Sequence, residues 1–210
     1  MQDPVIFFIF IAVLILSVIA HEISHGYVAH MLGDPTAKLA GRLTLDPRKH
    51  LDPLGSFIVP VLMFFSTNTM FGWAKPVPYN PYNLRNQRWG TALVGAAGAG
   101  ANLLIAIALG MFIRFSGNIG IPMSFLHFIA ITIYLNILLA VFNLIPIPPL
   151  DGSKVLFAFL PLRFRHIQEG LERYALPLLI LVVFFGVDFI KPIIAFLYTL
   201  ITGESLVLLL

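Results

Sequence analysis

Cysteine is absent from this 210-residue chain. That excludes disulfides and thiolate metal sites, so any bound metal must rely on His, Asp or Glu. Charge is scarce too. Asp, Glu, Lys and Arg make up 11% of the residues, against about 25% in soluble domains. With 59% hydrophobic residues, a soluble fold of this length could not hide its apolar surface, and the bilayer must act as the solvent. No basic stripe or nucleic-acid motif accompanies the net charge of +3, which is scattered through loops. Such loop charges read as topology signals and contacts to anionic lipid, not as a nucleic-acid footprint. Internal repeats and low-complexity stretches are also missing. The first apolar run lacks a basic leader and a cleavage site, so it is expected to stay as an uncleaved anchor. No stretch reads as an appended soluble domain.

What is present is a series of apolar runs. The first goes from Val5 to about Ala29 and carries the polar cluster His21 to His30 at its end. A loop rich in Gly, Pro and Asp spans Gly33 to Pro53, where Ala40–Leu45 is a weak candidate for a short strand. The second run, Leu54–Phe71, is interrupted by Pro60. The segment Gly72–Arg88 holds three prolines and is expected to be extended. Runs at Thr91–Phe115 and Phe125–Ile145 follow, the latter breaking at Pro146, Pro148 and Pro149. The last apolar stretch starts near Tyr174 and is disturbed at Gly186, Asp188 and Pro192. The expected fold is an all-α polytopic membrane protein, with a re-entrant or extended segment near the active site. It forms one domain over residues 1–210, with a motif core at about 6–160 and a helical region at 170–210.

His21-Glu22-Ile23-Ser24-His25 is an H-E-x-x-H motif. On a helix, residues i and i+4 share a face, so both imidazoles can reach one metal. Glu22 then sits beside a metal-activated water and can take its proton. Ionisable residues within a membrane run cost several kcal/mol each and are functional by default. The bland alternative is snorkelling to the membrane surface, which leaves the motif's order unexplained.

A catalytic zinc usually has three protein ligands. Asp151 is the candidate third ligand, because it follows the proline break and Gly152 beside it permits close backbone approach. The alternative is a helix N-cap at Asp151. Asn143 and Asn102 are polar groups in apolar runs. They are candidates for binding the substrate backbone or stabilising an oxyanion, or else for helix-to-helix hydrogen bonds.

If His21, His25 and Asp151 share one metal, they lie on one membrane side. Simple spanning by Leu54–Phe71 would put Asp151 on the other side, so the chain between Leu54 and Arg88 is expected to go in and return. That topology puts eleven of the thirteen Lys and Arg residues on one side, leaving only Arg114 and Lys191 opposite. The positive-inside rule then turns the active site toward the cytoplasm.

These residues resemble the site-2 protease family of intramembrane zinc metalloproteases (peptidase family M50), in its compact prokaryotic form without a PDZ domain. The matching pieces are HEISH at 21–25, GRLTLDPRKHLDPLG at 41–55, GWAKPVP at 72–78 and FNLIPIPPLDG at 142–152. The resemblance implies one Zn²⁺ per chain held by His21, His25 and Asp151, with Glu22 as general base and Asn143 engaging substrate. It also implies transmembrane protein substrates, membrane lipid as the other partner, and residence in a prokaryotic plasma membrane. A His₂-carboxylate set suits iron(II) as well. The reading from another class is a membrane metal-binding protein without proteolytic activity, which would tolerate Glu22→Gln.

Overall fold

The computed structural model describes residues 4–59, 62, 74–116 and 120–205. Among them, helix is the only regular structure. Helix α1, Pro4–Met31, follows from an apolar run without a breaker before Gly26. It ends where Gly33 takes a left-handed φ of 110°. Gly33 N donates to His30 O at 3.1 Å and Asp34 N to Ala29 O at 2.9 Å, the paired bonds that close a helix at glycine. A short α2 follows at Thr36–Leu39. Ala40–Leu45 is irregular rather than a strand. Its Arg42 is buried and donates Nη2 to the carbonyls of Lys75 at 2.7 Å and Pro76 at 3.3 Å.

The long helices α3, Gln87–Ser116, and α4, Met123–Asn143, pack against α1 and against each other. Helix α5, Asp151–Phe159, follows the proline break and lies on α3. Helices α6, Arg165–Arg173, and α7, Ala175–Leu181, lead through a wide turn at Val182–Gly186 into α8, Val187–Thr202. The pair α7 and α8 is bent by 65°, close to the disturbance expected at Gly186. Ile190, Ile194 and Tyr198 of α8 bury against Ala106 of α3 and Ile129 and Ile133 of α4.

α1, α3 and α4 are long and apolar enough to cross a bilayer, and the bent pair makes a fourth crossing if it is one span. Their apolar side chains face outward, as with Phe8 and Leu104, while Ser17, Asn102 and Asn136 are buried. That inside-out pattern belongs to an integral membrane protein, whose polar groups must find partners inside the bundle.

The end of α1 lies beside the start of α3. Arg85 N donates to Leu32 O at 3.0 Å, and Leu84 packs with Ala29 and Val94. Lys75 N donates to His50 O at 2.8 Å, so the chain between them leaves and returns to one place. Its route falls on 60, 61 and 63–73, outside the described residues, so the expected re-entrant turn does as well. Residues 74–80 are in neither helix nor strand; Pro76 and Pro78 hold the residues before them extended, and Asn80 is extended at φ −111° and ψ 109°.

Candidate active site

His21 and His25 leave α1 one turn apart and face α3, their rings edge to face with centroids 4.6 Å apart. The small residues of α3 make this approach possible. A Cβ on Gly98 would stand 2.5 Å from His21 Nε2, and one on Gly95 would stand 3.0 Å from the Asp151 carbonyl oxygen. Two glycines therefore give the imidazole and α5 the space they occupy.

His25 Nδ1 lies 2.6 Å from the carbonyl oxygen of Val94. A carbonyl only accepts, so Nδ1 carries a proton, and in the neutral ring Nε2 is the nitrogen with the free lone pair. That Nε2 is 3.0 Å from Asp151 Oδ2, and His21 Nε2 is 3.1 Å from the same oxygen. His21 Nδ1 in turn faces Asn102 Oδ1 at 2.7 Å.

Asp151 is the first residue of α5. Leu150 is the N-cap, so the Asp151 carboxylate is turned to the imidazoles and does not cap the helix. Its other oxygen, Oδ1, accepts from Lys154 Nζ at 2.8 Å. Burial pulls the Lys154 ammonium's pKa down, but the adjacent Asp151 carboxylate outweighs this and raises it above 10.5. One carboxylate oxygen is thus neutralised and the other left for the imidazole pair.

With both rings neutral, two imidazole lone pairs and a carboxylate oxygen converge here, and a cation satisfies all three. A tetrahedral zinc with bonds of about 2.0–2.2 Å keeps its donor atoms about 3.4 Å apart. The observed spacings need to open by only a few tenths of an ångström to admit the ion. The donor set and its spacing therefore fit zinc.

Glu22 is half-buried on the same turn, and its Oε2 accepts from Val77 N at 2.8 Å. Donor atoms of His21, Glu22 and His25 also lie within 4.8 Å of one another, so two carboxylates border the imidazole pair. Asp151 touches both Nε2 atoms, whereas Glu22 is engaged by the extended segment. The two carboxylates thus differ in setting: Asp151 is held against the imidazole pair, and Glu22 against the backbone of Val77.

The extended segment closes one side of a cavity of about 200 Å³ that holds His21, Glu22, His25, Tyr79, Asn143 and Lys154 on its walls. Asn143 lies at the end of α4 and donates Nδ2 to Leu139 O at 2.9 Å. Asn102 is elsewhere. It is fully buried between helices, with Nδ2 donating to Ser17 O at 3.2 Å. Its amide makes the helix-to-helix bonds and faces His21, and it is not among the residues lining the cavity. Lys154 and Val77 were not singled out in the sequence. Lys154 was within reach of it, since i and i+3 share a helix face with Asp151. Val77 acts through its backbone, which leaves no trace in residue type.

The sequence profile of peptidase family M50 matches residues 115–186. YwhC of Bacillus subtilis (strain 168), whose name proposes a zinc metalloprotease, is 38% identical over 171 residues, covering 77% of this chain and 73% of its own. Rip2 of Mycolicibacterium smegmatis, named in the same way, is 32% identical, covering 72% of this chain and 57% of its own. Rip2 of Mycobacterium tuberculosis is 30% identical with the same two coverages. The chain thus spans little more than half the length of the Rip2 proteins. No solved structure matches it.

Proposed function

This chain belongs to peptidase family M50, the site-2 protease family, and from that premise we propose that it is an intramembrane zinc metalloprotease cutting peptide bonds in or near transmembrane segments. The observation that carries the reading is the single Asp151 oxygen 3.1 and 3.0 Å from two imidazole nitrogens, beside a glutamate.

His21, His25 and Asp151 would hold the metal. Zinc, when bound, supplies the Lewis acidity that brings the pKa of a water molecule to about 7. Glu22 accepts a water proton at its carboxylate oxygen as the water oxygen bonds to the carbonyl carbon, and returns the proton to the amide nitrogen as the C–N bond breaks. Lys154 faces the same cavity with a fixed positive charge, placed to meet the negative charge growing on the carbonyl oxygen. Asn143 engages the substrate backbone at the cavity wall.

A transmembrane helix hides its amides in its own hydrogen bonds, so the substrate must unwind before cleavage. The extended segment at Lys75–Pro81 borders the cavity into which the unwound chain would go. The basic residues near the site turn it to the cytoplasmic face of a prokaryotic plasma membrane.

The test is zinc content and cleavage together. Purified wild type should hold about one zinc per chain, and Asp151→Ala should lose it. Glu22→Gln should keep zinc and lose cleavage of a membrane-inserted reporter. Full activity in Glu22→Gln would overturn the reading and favour a metal-binding protein without proteolysis.

A further inference from the structure

A buried chain of side-chain amides links the α1 histidine to α4. Asn102 and Asn136 have no exposed surface, and Ser17 is 4% exposed. Asn136 Nδ2 donates to Thr132 O at 2.8 Å and to Ser17 Oγ at 2.9 Å. Asn102 Nδ2 donates to Asn136 Oδ1 at 2.7 Å and to Ser17 O at 3.2 Å. Asn102 Oδ1 then faces His21 Nδ1 at 2.7 Å.

The directions of these bonds are dictated, because backbone carbonyls can only accept. The Thr132 carbonyl fixes the NH₂ end of Asn136, which leaves its oxygen toward Asn102. The Ser17 carbonyl and that oxygen together fix the NH₂ end of Asn102. Turning Asn102 over would set its oxygen against two other acceptors at a fully buried position. With Asn102 Oδ1 toward His21, a proton must sit on His21 Nδ1, which leaves Nε2 as the nitrogen of the neutral ring that can bind a metal.

We propose that Asn136 on α4 is a positioning residue for the metal centre: through Asn102 it sets the tautomer and ring orientation of His21. Neither sequence motif contains Asn136, and it touches neither metal nor substrate. The two histidines thus reach one state by different means, His25 from a backbone carbonyl and His21 from a relay across three helices. This inference rests on the metal reading of the site.

The test is zinc affinity of the detergent-solubilised full chain, by competition with a chromophoric chelator. Asn136→Leu removes the acceptor that holds Asn102 and frees that amide to turn. Zinc affinity should fall about 10- to 100-fold, the usual effect of losing an outer partner of a metal-bound histidine. Asn136→Asp keeps an acceptor toward Asn102 and should stay within about tenfold of wild type. A residue that merely joins helices would shift the melting temperature and leave zinc affinity alone, and that result for Asn136→Leu would overturn the inference. Should Asn136→Leu not fold, ¹⁵N NMR of the zinc-loaded wild type decides. His21 bound through Nε2 with a slowly exchanging Nδ1 proton supports the relay, and binding through Nδ1 overturns it. A wild type that takes up no zinc overturns the metal reading itself, which the chelator titration shows before any variant is made.

Discussion

The backbone N–H of Val77 donates to Glu22 Oε2 at 2.8 Å. The candidate base is therefore aimed by the extended segment that closes its cavity, not by its own helix alone. That segment is itself tied down on three sides. His50 O accepts from Lys75 N, Arg42 holds the Lys75 and Pro76 carbonyls, and Asp34 accepts from Asn80 N at 2.6 Å. Loops after α1 thus reach the chemistry through the backbone.

Val77→Pro removes this donor and should separate base from metal. A hydrogen bond to a charged group contributes about 1.5–3 kcal/mol, so kcat should fall roughly 10- to 100-fold. Zinc content should not change, and Val77→Ala, which keeps the N–H, should be much milder. Equal loss in both variants would mean that the Val77 side chain matters and the bond to Glu22 does not.

The metal candidates were legible in the sequence because H-E-x-x-H works through local helix periodicity, and the proline break marked the place after which Asp151 opens a new helix. The extended chain at Ala74–Asn80 was legible for the same local reason, since proline fixes its own backbone. What could not be read was contact between distant residues. Asn102 meets His21 across 81 positions, and the Val94 carbonyl meets His25 across 69. Nothing in residue type marks which amide end faces which helix. Arg42 looked like a loop charge in a weak strand, yet its guanidinium is buried against two carbonyls.

Gly98→Ala tests the close approach of α1 and α3. Within a helix, Gly to Ala ordinarily gains about 1 kcal/mol. Here the added Cβ would lie 2.5 Å from His21 Nε2, so the ring must move off the metal position. The expected outcome is a folded protein with zinc affinity reduced at least about tenfold. Gly100→Ala is the control, because its Cβ meets nothing within 4 Å. Equal zinc affinity in both variants would show that the stripe serves packing only.

Asp34 gives a pH dependence with a defined sign. Burial alone raises its carboxyl pKa, but donors on Thr36, Asn83 and Asn80 outweigh this and hold it below 3.8. The folded state thus favours the carboxylate. Its contribution is fully present above about pH 4 and is lost as pH falls through the lower folded-state value. Asp34→Asn should lower the melting temperature at pH 7, reflecting about 1–3 kcal/mol, and should flatten the acid side of the profile. Melting curves from pH 7 to pH 3 in detergent check both parts. An unchanged acid limb in the variant would assign that limb to other carboxylates.

Lys154 separates binding the metal from stabilising charge in the reaction. Its ammonium neutralises Asp151 Oδ1 at 2.8 Å and lies on the cavity wall, 5.6 Å from the Tyr79 ring centre. Zinc contact is assigned to the other oxygen, so Lys154→Met leaves the two imidazoles and Oδ2 in place. If Lys154 serves the carbonyl oxygen, the variant should keep its zinc and its KM within about threefold, while kcat falls roughly 10²- to 10³-fold, as when an oxyanion donor is removed. Lys154→Arg, which keeps the charge but changes its shape, should recover part of that loss. Loss of zinc from Lys154→Met would instead make the lysine a holder of Asp151, and the charge on the carbonyl oxygen would need another partner.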